Sequence, residues 1–242
     1  MKIKLTGIQS RRMGYDMALD FISNLEPEKD EVVILPEKWI TENIDYDKLN
    51  RLIDRINFEN TAVLGSFSFY DGSLYNRSFI IDHRKIIGYQ DKINLYMSEK
   101  KNYRPGNSLN IFKINNIKIG ILICYDIDFP AYPRKIFYNN CDIIINPSLI
   151  NSKFHDEWHM YIKVRSLENR IAVASINSIS DNFLGDSIIT SPYQYDIGIK
   201  LRAVHEKEKN VTMEINTDDY YKSRLERMNE ETNADSIAVN NI

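Results

Sequence analysis

Short hydrophobic runs alternate with longer amphipathic segments along the chain. Runs rich in Ile, Val and Leu predict strands, and hydrophobic residues spaced three or four apart predict helices. The predicted strands are Lys2–Gln9, Glu31–Leu35, Thr61–Phe69, Tyr75–Asp82, Lys85–Gln90, Lys118–Ile123, Asp142–Ile145, Ile171–Ile176, Ser187–Thr190, Ile197–Leu201 and Val211–Ile215. The predicted helices are Asp16–Asn24, Tyr46–Phe58, Ala131–Tyr138, Ser152–Asn169 and Asp218–Asn229.

This order of elements predicts an α/β fold. Helices that separate strands favour parallel pairing, and strands joined by short turns favour antiparallel pairing. We therefore expect a mixed sheet, or two sheets, covered by helices. Residues 1–242 are predicted to form one domain, because the length suits one and no linker rich in Pro, Gly or Ser interrupts it. A short charged helix and tail are expected from about residue 217, with the last ten residues loose.

Composition narrows the classes of function. Basic and acidic side chains number 31 and 34, a net charge of −3, which argues against nucleic-acid and anionic-membrane partners. No run reaches the roughly 18 apolar residues that span a bilayer, and Met1–Gln9 is too short for a signal peptide. The two cysteines, Cys124 and Cys141, are too few for a disulfide framework. We expect a soluble cytoplasmic protein in a reducing compartment.

Three predicted strands end at residues that carry chemistry. Cys124 follows a buried run, Glu37 follows Glu31–Leu35, and Lys92 follows Lys85–Gln90. Ligand crevices in α/β proteins form at the carboxyl ends of strands. A single buried cysteine is more often inert core, and a single Glu or Lys is more often a solvated surface charge. Together the three are a stronger signal than any one, whereas Cys141 is interpreted as a core residue.

The chemistry explains why these residue types would be grouped. A thiol becomes an effective nucleophile only when a base or a nearby cation activates it. Glu37 can accept the thiol proton, return it to a departing amine and then activate water against a thioester. Lys92 can stabilise the thiolate and the oxyanion. Glu99 could act as a second carboxylate that orients the lysine, or it could be a surface acid.

At these residues the sequence resembles the nitrilase superfamily of carbon–nitrogen hydrolases. Leu35-Pro-Glu37 resembles the glutamate motif, Asp91–Tyr96 the lysine motif, and Gly120–Pro130 the cysteine motif. Glu99 with Arg104-Pro-Gly106 is similar to the second glutamate and its glycine. Weaker similarities lie at Tyr75-Asn76, Asn146-Pro-Ser148, Arg165–Asn169, Asn177 and Gly185–Ser187. The ordered set covers nearly the whole chain.

The resemblance implies a four-layer α-β-β-α sandwich and a Glu37-Lys92-Cys124 triad with Glu99 alongside. It also implies hydrolysis of a small amide, carbamoyl or nitrile substrate through a thioester, without a metal or another cofactor, in a homodimer or larger homo-oligomer. The backbone N–H of Tyr125 would join Lys92 in binding the oxyanion. The residues predicted to line the pocket are Tyr96, Tyr125, Phe129 and Ser148.

Two departures within the cysteine motif bear on the branch of the family. Tyr125-Asp126 after the cysteine is similar to amidase branches, whereas many true nitrilases have Trp-Glu, so an amidase-type activity is favoured. Ala131 stands where the family often has Glu after Phe-Pro, which affects local packing or substrate fit more than the chemistry.

Three alternatives remain open at this stage. His155 and His159 have the i, i+4 spacing of a zinc site, but the order His-Asp-Glu-Trp-His lacks the HExxH arrangement and no third ligand is evident. A capping or solvated role is favoured for both. Alternatively, His155 or His205 could approach Cys124 and form a Cys–His hydrolase. The third alternative is a noncatalytic interaction protein on the same scaffold.

Overall fold

The computed structural model describes residues 1–230, which form two six-stranded sheets and a two-stranded ribbon. The strands are β1 Lys2–Gly7, β2 Glu31–Ile34, β3 Ala62–Tyr70, β4 Leu74–Asp82, β5 Lys85–Asp91, β6 Ile111–Ile114, β7 Ile117–Ile121, β8 Ile143–Ser148, β9 Ala172–Asn177, β10 Ile179–Ser180, β11 Phe183–Leu184, β12 Ser187–Tyr195, β13 Gly198–Glu206 and β14 Val211–Asn216. The helices are α1 Tyr15–Ser23, α2 Tyr46–Asp54, α3 Glu99–Asn102, α4 Ala131–Tyr138, α5 His155–Asn169 and α6 Asp218–Glu230.

Both large sheets are mixed, so the predicted α/β class is confirmed. The first has the order β14-β1-β2-β3-β4-β5, and the second has the order β13-β12-β9-β8-β7-β6. In the first sheet β2 pairs in parallel with β1 and β3. In the second sheet β8 pairs in parallel with β7 and β9. The remaining pairs within these two sheets are antiparallel.

The alternation of side chains along β2 explains the layers. Val32 and Ile34 belong to the hydrophobic cluster that joins the two sheets, whereas Val33 and Leu35 pack into a second cluster with α1 and α2. Successive strand residues point to opposite faces, so a strand buried on both faces reads as a continuous hydrophobic run. The α4 and α5 helices contribute Ile136 and other residues to the first cluster, on the side of the second sheet. The predicted four-layer α-β-β-α sandwich is the observed arrangement.

Several boundaries differ from the prediction for local reasons. Helix α2 ends at Asp54 instead of Phe58, because Arg55 caps it and the chain then turns. Strand β6 was not predicted; it is a short edge strand that reaches β7 through a turn with Asn115 at a φ of 54°. The hairpin of β12 and β13 is longer than predicted and turns at Asp196. The expectation of a loose end concerns the last ten residues, 233–242, which lie outside the described residues.

Among residues 1–230, no helix combines the length and the apolar character needed to cross a membrane.

Candidate active site

The segment that carries Glu37 leaves β2 and is held against β3. Glu37 forms a parallel bridge with Ser66, and the Ser66 N–H donates to the Pro36 carbonyl oxygen at 3.1 Å. Gly65 makes this approach possible: its φ is +69°, and a Cβ there would lie 2.0 Å from the Pro36 oxygen. A glycine is needed where the backbone is left-handed and another chain segment comes this close. The sequence therefore positions Glu37 through a residue of the neighbouring strand.

Lys92 is held by its own backbone at the end of β5. Its N–H donates to the Asn76 carbonyl oxygen at 2.8 Å, and its carbonyl accepts from the Gly106 N–H at 2.8 Å. A Cβ at Gly106 would meet the Asp91 carbonyl oxygen at 2.7 Å. This close approach gives a physical reason for the glycine in the Arg-Pro-Gly motif.

The side chain of Lys92 lies between two buried carboxylates. Its Nζ is 2.9 Å from Glu37 Oε1 and 2.9 Å from Glu99 Oε2. Glu37, Lys92 and Glu99 are 3%, 2% and 8% exposed. Removing charges from water is costly unless they are paired with good geometry, and each of these has a direct partner. The structure thus brings together three of the four residues that the sequence singled out as catalytic.

Two further polar residues complete this cluster. Asn76 Nδ2 donates to Glu37 Oε1 at 2.7 Å and to Glu99 Oε1 at 2.9 Å. Lys38 Nζ donates to Glu99 Oε1 at 2.6 Å and lies 4.4 Å from the centre of the Tyr103 ring. Two carboxylates and two ammonium groups therefore balance in charge. The sequence analysis noted Asn76 only as a weak similarity. It missed Lys38, which only its position directly after Glu37 could have indicated.

The surrounding charges keep Lys92 and Glu99 in their ionised forms. Burial opposes the charge on Lys92, but Glu37, the Cys124 sulfur and Glu99 together keep its pKa well above the usual value. Burial likewise opposes the charge on Glu99, yet the two ammonium groups of Lys92 and Lys38 lower its pKa to about 2. Glu99 therefore stays a carboxylate at neutral pH and orients both lysines.

Cys124 begins a short 3-10 helix, Cys124–Asp128, three residues after the last residue of β7. It has a φ of +46°, which is uncommon for a residue with a side chain, and it is 8% exposed. Burial raises the pKa of its thiol, and the negative charge of Glu37 raises it further, against the opposing effects of Lys92 and of a hydrogen bond from the backbone of Leu149. The raised pKa means that the resting sulfur is a thiol. A thiol in this state becomes an effective nucleophile only after it loses its proton to a base.

Asp126 connects the Cys124 turn to the Lys92 loop. Its Oδ1 accepts from the Asn94 N–H at 2.6 Å, and its Oδ2 accepts from the N–H groups of Ile93 and Ile123 at 3.2 Å each. Burial raises the pKa of Asp126 to about 6, and the backbone N–H donors oppose this rise. Because each oxygen accepts from backbone groups, the carboxylate form fits this position.

Asn146 holds the other side of the Cys124 turn. Its Nδ2 donates to the carbonyl oxygens of Leu122 at 2.6 Å and Cys124 at 3.2 Å. Its Oδ1 accepts from Ser148 Oγ at 2.6 Å and from Ser175 Oγ at 2.9 Å. The sequence motif at Asn146-Pro-Ser148 thus corresponds to a buried polar network beneath Cys124.

Helix α5 reaches the same turn. Trp158 Nε1 donates to Ser175 Oγ at 2.9 Å, which extends the Asn146 network to the helix. Arg165 donates from Nε to the Ile127 carbonyl oxygen at 2.9 Å and from Nη2 to that of Asp128 at 2.7 Å. The carbonyl groups of Ile127 and Asp128 are therefore satisfied by one side chain of α5.

Three of the predicted pocket residues form an aromatic row, and the fourth is fully buried. Tyr96, Tyr125 and Phe129 form an aromatic row, with ring centres 5.1 Å apart for the first pair and 5.0 Å for the second. Tyr96 is 47% exposed, so the row extends to the surface. Ser148 instead is fully buried and points its hydroxyl at Asn146, while its carbonyl oxygen accepts from the Glu37 N–H at 3.3 Å.

The histidines named in the alternatives gather away from this cluster. His155 Nδ1 lies 3.4 Å from Asp186 Oδ2, and His205 Nδ1 lies 3.0 Å from Asp186 Oδ1. His159 Nε2 lies 2.8 Å from the Asp186 carbonyl oxygen. The charged groups that act on Cys124 are Glu37 and Lys92. This arrangement argues against a Cys–His hydrolase, and it supplies the candidate third ligand that the sequence spacing did not reveal.

Comparison with known proteins agrees with this geometry. Residues 14–222 match the carbon–nitrogen hydrolase family over most of the chain. The chain belongs to the carbon–nitrogen hydrolase family.

Individual relatives include both nitrilases and amidases. A probable nitrilase of Schizosaccharomyces pombe is 27% identical over 143 residues, which is 57% of this chain and 51% of that protein. The 2-oxoglutaramate amidase of Bacillus subtilis is 28% identical over 195 residues, 72% of this chain and 75% of that protein. The matched region thus spans about half the length of the first and three quarters of the second.

A solved structure shows the same fold. The protein XC1258 of Xanthomonas campestris, a CN-hydrolase superfamily protein with an arsenic adduct in its active site, has a TM-score of 0.79. Its sequence identity is 18%, and the match covers 97% of this chain and 99% of that one. The resemblance to the nitrilase superfamily is confirmed at the levels of family and fold.

Proposed function

We propose that the protein hydrolyses the C–N bond of a small non-peptide amide through a thioester on Cys124. The observation that carries this proposal is the buried, charge-balanced contact of Lys92 with Glu37 and Glu99 at 2.9 Å each, beside a protonated thiol. Buried charges cost stability unless they are very well paired. Groups of titratable side chains of this kind cluster at functional sites. A noncatalytic interaction protein has no need of them.

The first half of the reaction forms the thioester. As Glu37 accepts the thiol proton, the Cys124 sulfur bonds to the amide carbon and the carbonyl π electrons move to oxygen. The Lys92 ammonium and the Tyr125 N–H stabilise the resulting oxyanion. When the carbonyl re-forms, the C–N bond breaks and Glu37 gives its proton to the departing nitrogen. Ammonia or an amine leaves.

The second half releases the acid. Glu37 now accepts a proton from water while the water oxygen bonds to the thioester carbon. The same two donors stabilise the second oxyanion. Its collapse breaks the C–S bond, the proton on Glu37 returns to sulfur, and a carboxylic acid is released. Glu99 takes no proton in this scheme, because its low pKa suits it to hold Lys92 in place.

The relatives support an amide as the substrate class. The Bacillus subtilis relative is a 2-oxoglutaramate amidase, and it shares more of its length with this chain than the probable nitrilase does. The aromatic row of Tyr96, Tyr125 and Phe129 supplies an apolar wall beside the thiol turn. We place the enzyme in the cytoplasm, in agreement with its two free cysteines.

The test is mass spectrometry of the protein during turnover. The protein is incubated with a panel of small amides, nitriles and N-carbamoyl compounds, quenched and digested. We expect an acyl adduct on the peptide that contains Cys124, with amides giving the largest yield. The adduct should be absent from Cys124→Ala and retained in Cys141→Ser, a change at the other buried free cysteine.

Two results would overturn the proposal. An adduct on a different residue would reassign the nucleophile. No turnover of any compound, together with no selective labelling of Cys124 by iodoacetamide, would favour the interaction protein. If nitriles or N-carbamoyl compounds gave the largest adduct yield, Cys124 would remain the proposed nucleophile. The proposed substrate class would change from amides to those compounds.

We also propose that two copies of the chain associate. Helix α5 exposes Met160, Tyr161 and Val164 on one face, with exposures of 60%, 41% and 47%. Apolar side chains clustered on an exposed helix face are typical of an interface. Light scattering should give twice the chain mass, and Val164→Glu should return it to the monomer mass.

A further inference from the structure

Three of the four histidines in the chain surround one carboxylate. His155 and His159 lie on α5, His205 lies near the end of β13, and Asp186 directly precedes β12. We propose that His155, His159, Asp186 and His205 bind a divalent first-row transition metal such as Zn²⁺. The site is distinct from the Glu37, Lys92 and Cys124 cluster and is structural in function.

The distances fit a metal centre. His205 Nδ1 lies 3.0 Å from Asp186 Oδ1, His155 Nδ1 lies 3.4 Å from Oδ2, and His159 Nε2 lies 3.9 Å from Oδ1. The ligand atoms of His159, Asp186 and His205 all lie within 4.8 Å of one another. A tetrahedral zinc ion with bonds of about 2.0–2.1 Å separates its ligands by about 3.3–3.4 Å. The observed distances fall on both sides of this value, so small side-chain movements suffice.

The donor set determines the class of ion. Imidazole nitrogens with one carboxylate suit Zn²⁺, Co²⁺ and Ni²⁺. Mg²⁺ and Ca²⁺ require mainly oxygen ligands, and only Asp186 supplies a charged oxygen among the four proposed ligands. We therefore expect transition metals to bind and alkaline-earth ions to bind weakly.

The protein holds these ligands in place before a metal arrives. His155 and His159 are one helical turn apart, so they lie on the same side of α5. Asp186 has a φ of +56° and follows Gly185, whose carbonyl oxygen accepts from Asn177 Nδ2 at 2.9 Å. After it, the Ser187 N–H donates to Gln9 Oε1 at 3.0 Å. The backbone on both sides of Asp186 is therefore fixed.

His155 supplies a second, independent observation. Its side chain is largely buried, and its Nε2 has no hydrogen-bond partner. A buried imidazole usually satisfies both nitrogens. The ligand atom of this ring is Nδ1, which lies 3.4 Å from Asp186 Oδ2. Because Nε2 has no hydrogen-bond partner, no bond to that nitrogen competes with the orientation that a bound ion would require.

An ion can reach this cluster from solvent. His155 and Asp186 line a cavity of about 760 Å³. His205 is 54% exposed on its side chain, so one edge of the site is open to water. A metal site needs such an access route as well as suitable ligands. Binding through His159 Nε2 must also displace its hydrogen bond to the Asp186 carbonyl oxygen, with the ring proton on Nδ1 instead.

A bound ion would connect α5 to the β12–β13 hairpin. The same helix supports the Cys124 turn through Trp158 and Arg165. We therefore expect the metal to raise the stability of the native protein rather than to take part in hydrolysis. Anything that binds only the native state stabilises it.

The experiment measures metal binding in a background that lacks the nucleophile. The Cys124→Ser variant of the full chain is used, so that the Cys124 sulfur cannot bind the ion, and the variant is first stripped with a chelator. Zn²⁺, Co²⁺ and Mg²⁺ are then titrated by calorimetry, and thermal unfolding is followed with each. We expect one Zn²⁺ per chain, a higher Tm with Zn²⁺, and visible Co²⁺ absorption typical of nitrogen and oxygen ligands. Mg²⁺ should leave the Tm unchanged.

Added substitutions locate the ion. His205→Ala and Asp186→Asn should each weaken Zn²⁺ binding at least tenfold and abolish the rise in Tm. The matched control is His83→Ala, because His83 is the fourth histidine and also lies 3.0 Å from a carboxylate, that of Asp82, but on the exposed surface. It should leave Zn²⁺ binding intact. His205 is half-exposed, so its variant is expected to fold, and its circular dichroism without metal checks this.

Three outcomes would overturn the proposal. The first is the absence of stoichiometric Zn²⁺ binding at micromolar concentrations. The second is binding that persists unchanged in His205→Ala and Asp186→Asn. The third is loss of stability in these variants without any effect of Zn²⁺ on the parent, which would identify a hydrogen-bonded histidine cluster only.

Discussion

The carboxylate of Asp126 accepts a hydrogen bond from the backbone N–H of Asn94 at 2.6 Å. This bond joins two chain segments: one follows Lys92, and the other begins at Cys124. Asp126 also accepts from the N–H of Ile123, the residue that precedes Cys124. The relative position of the lysine and the thiol is therefore determined in part by a side chain that need not touch substrate.

Asp126→Asn should impair turnover through positioning. The amide has the same shape as the carboxylate, but its NH₂ group faces backbone N–H donors and repels them. The segment after Lys92 and the segment at Cys124 therefore move apart. A misplacement near 1 Å can cost about 10²-fold in rate. We expect kcat to fall by about that factor with little change in KM, and iodoacetamide to label Cys124 at an altered rate.

Asp128→Asn is the matched control for Asp126. It changes the same residue type in the same 3-10 helix, but Asp128 Oδ1 has no hydrogen-bond partner. Its kcat should stay within about threefold of wild type, since Asp128 Oδ1 has no hydrogen bond to lose. Equal losses in the two variants would contradict a specific role for Asp126.

Lys92→Met should reduce kcat/KM by about 10³-fold, because loss of one oxyanion donor alone costs about 10²–10³. The change also leaves Glu37 and Glu99 without their shared cation. Steady-state kinetics of folded protein, checked by circular dichroism, measures the effect. Lys48→Met, at a half-exposed lysine near Glu42, is the control and should retain activity.

The same assay separates the triad from the Cys–His alternative. His155→Ala and His205→Ala should keep most of the turnover, because these histidines gather around Asp186. If a histidine variant were inactive and Lys92→Met were active, the roles assigned to the two clusters would have to be exchanged.

Gly65→Ala should destabilise the protein and impair its activity together. The new Cβ would meet the Pro36 carbonyl oxygen at 2.0 Å in a left-handed backbone. We expect the free energy of unfolding to fall by about 3 to 5 kcal/mol, since the clash adds to the cost of the conformation. Urea unfolding measures this loss, and displacement of Glu37 should lower kcat in the fraction that folds.

Gly72→Ala separates the cost of the steric clash from the cost of the left-handed backbone conformation. Gly72 has a nearly equal φ of +67°, but a Cβ there meets nothing within 4 Å. Only the conformational cost of about 1–2 kcal/mol should remain, with unchanged kcat. A Gly65→Ala protein as stable as Gly72→Ala would show that the contact with Pro36 is not needed.

Glu99 should make a pH-dependent contribution to stability. Its pKa is lowered from 4.5 to about 2, so the native state binds this proton more weakly than the unfolded chain does. The stabilisation is complete above about pH 4.5 and is lost as the pH falls toward 2. Between pH 6 and pH 3, the advantage of wild type over Glu99→Gln should shrink by about 2 kcal/mol.

Urea unfolding at several pH values tests this expectation. Glu59→Gln, at an exposed glutamate 3.2 Å from Arg84, is the comparison and should show little change with pH relative to wild type. A wild-type advantage over Glu99→Gln that stays constant down to pH 3 would mean that Lys92 and Lys38 do not hold Glu99 ionised.

Sequence reasoning found the elements that carry the candidate site because their signals are local. Helix α4 was predicted with its observed bounds, Ala131–Tyr138, and the strands before Glu37, Lys92 and Cys124 were all recognised. Strand β6 was missed because it is short and lies at the sheet edge, where its pairing with β7 depends on a turn. The predicted roles of the four catalytic candidates stay predictions until the variants are measured.

The amino-acid sequence by itself determined the α/β class, the family and the candidate chemistry at Glu37, Lys92 and Cys124. Hydrophobic periodicity and ordered motifs are properties of neighbouring residues, so they can be read along the chain. The tertiary structure alone decided that Lys38 pairs with Glu99, and that Asp186 gathers three histidines from α5 and β13. These contacts join residues far apart in sequence, and only the packing of the sheets and helices sets their distances.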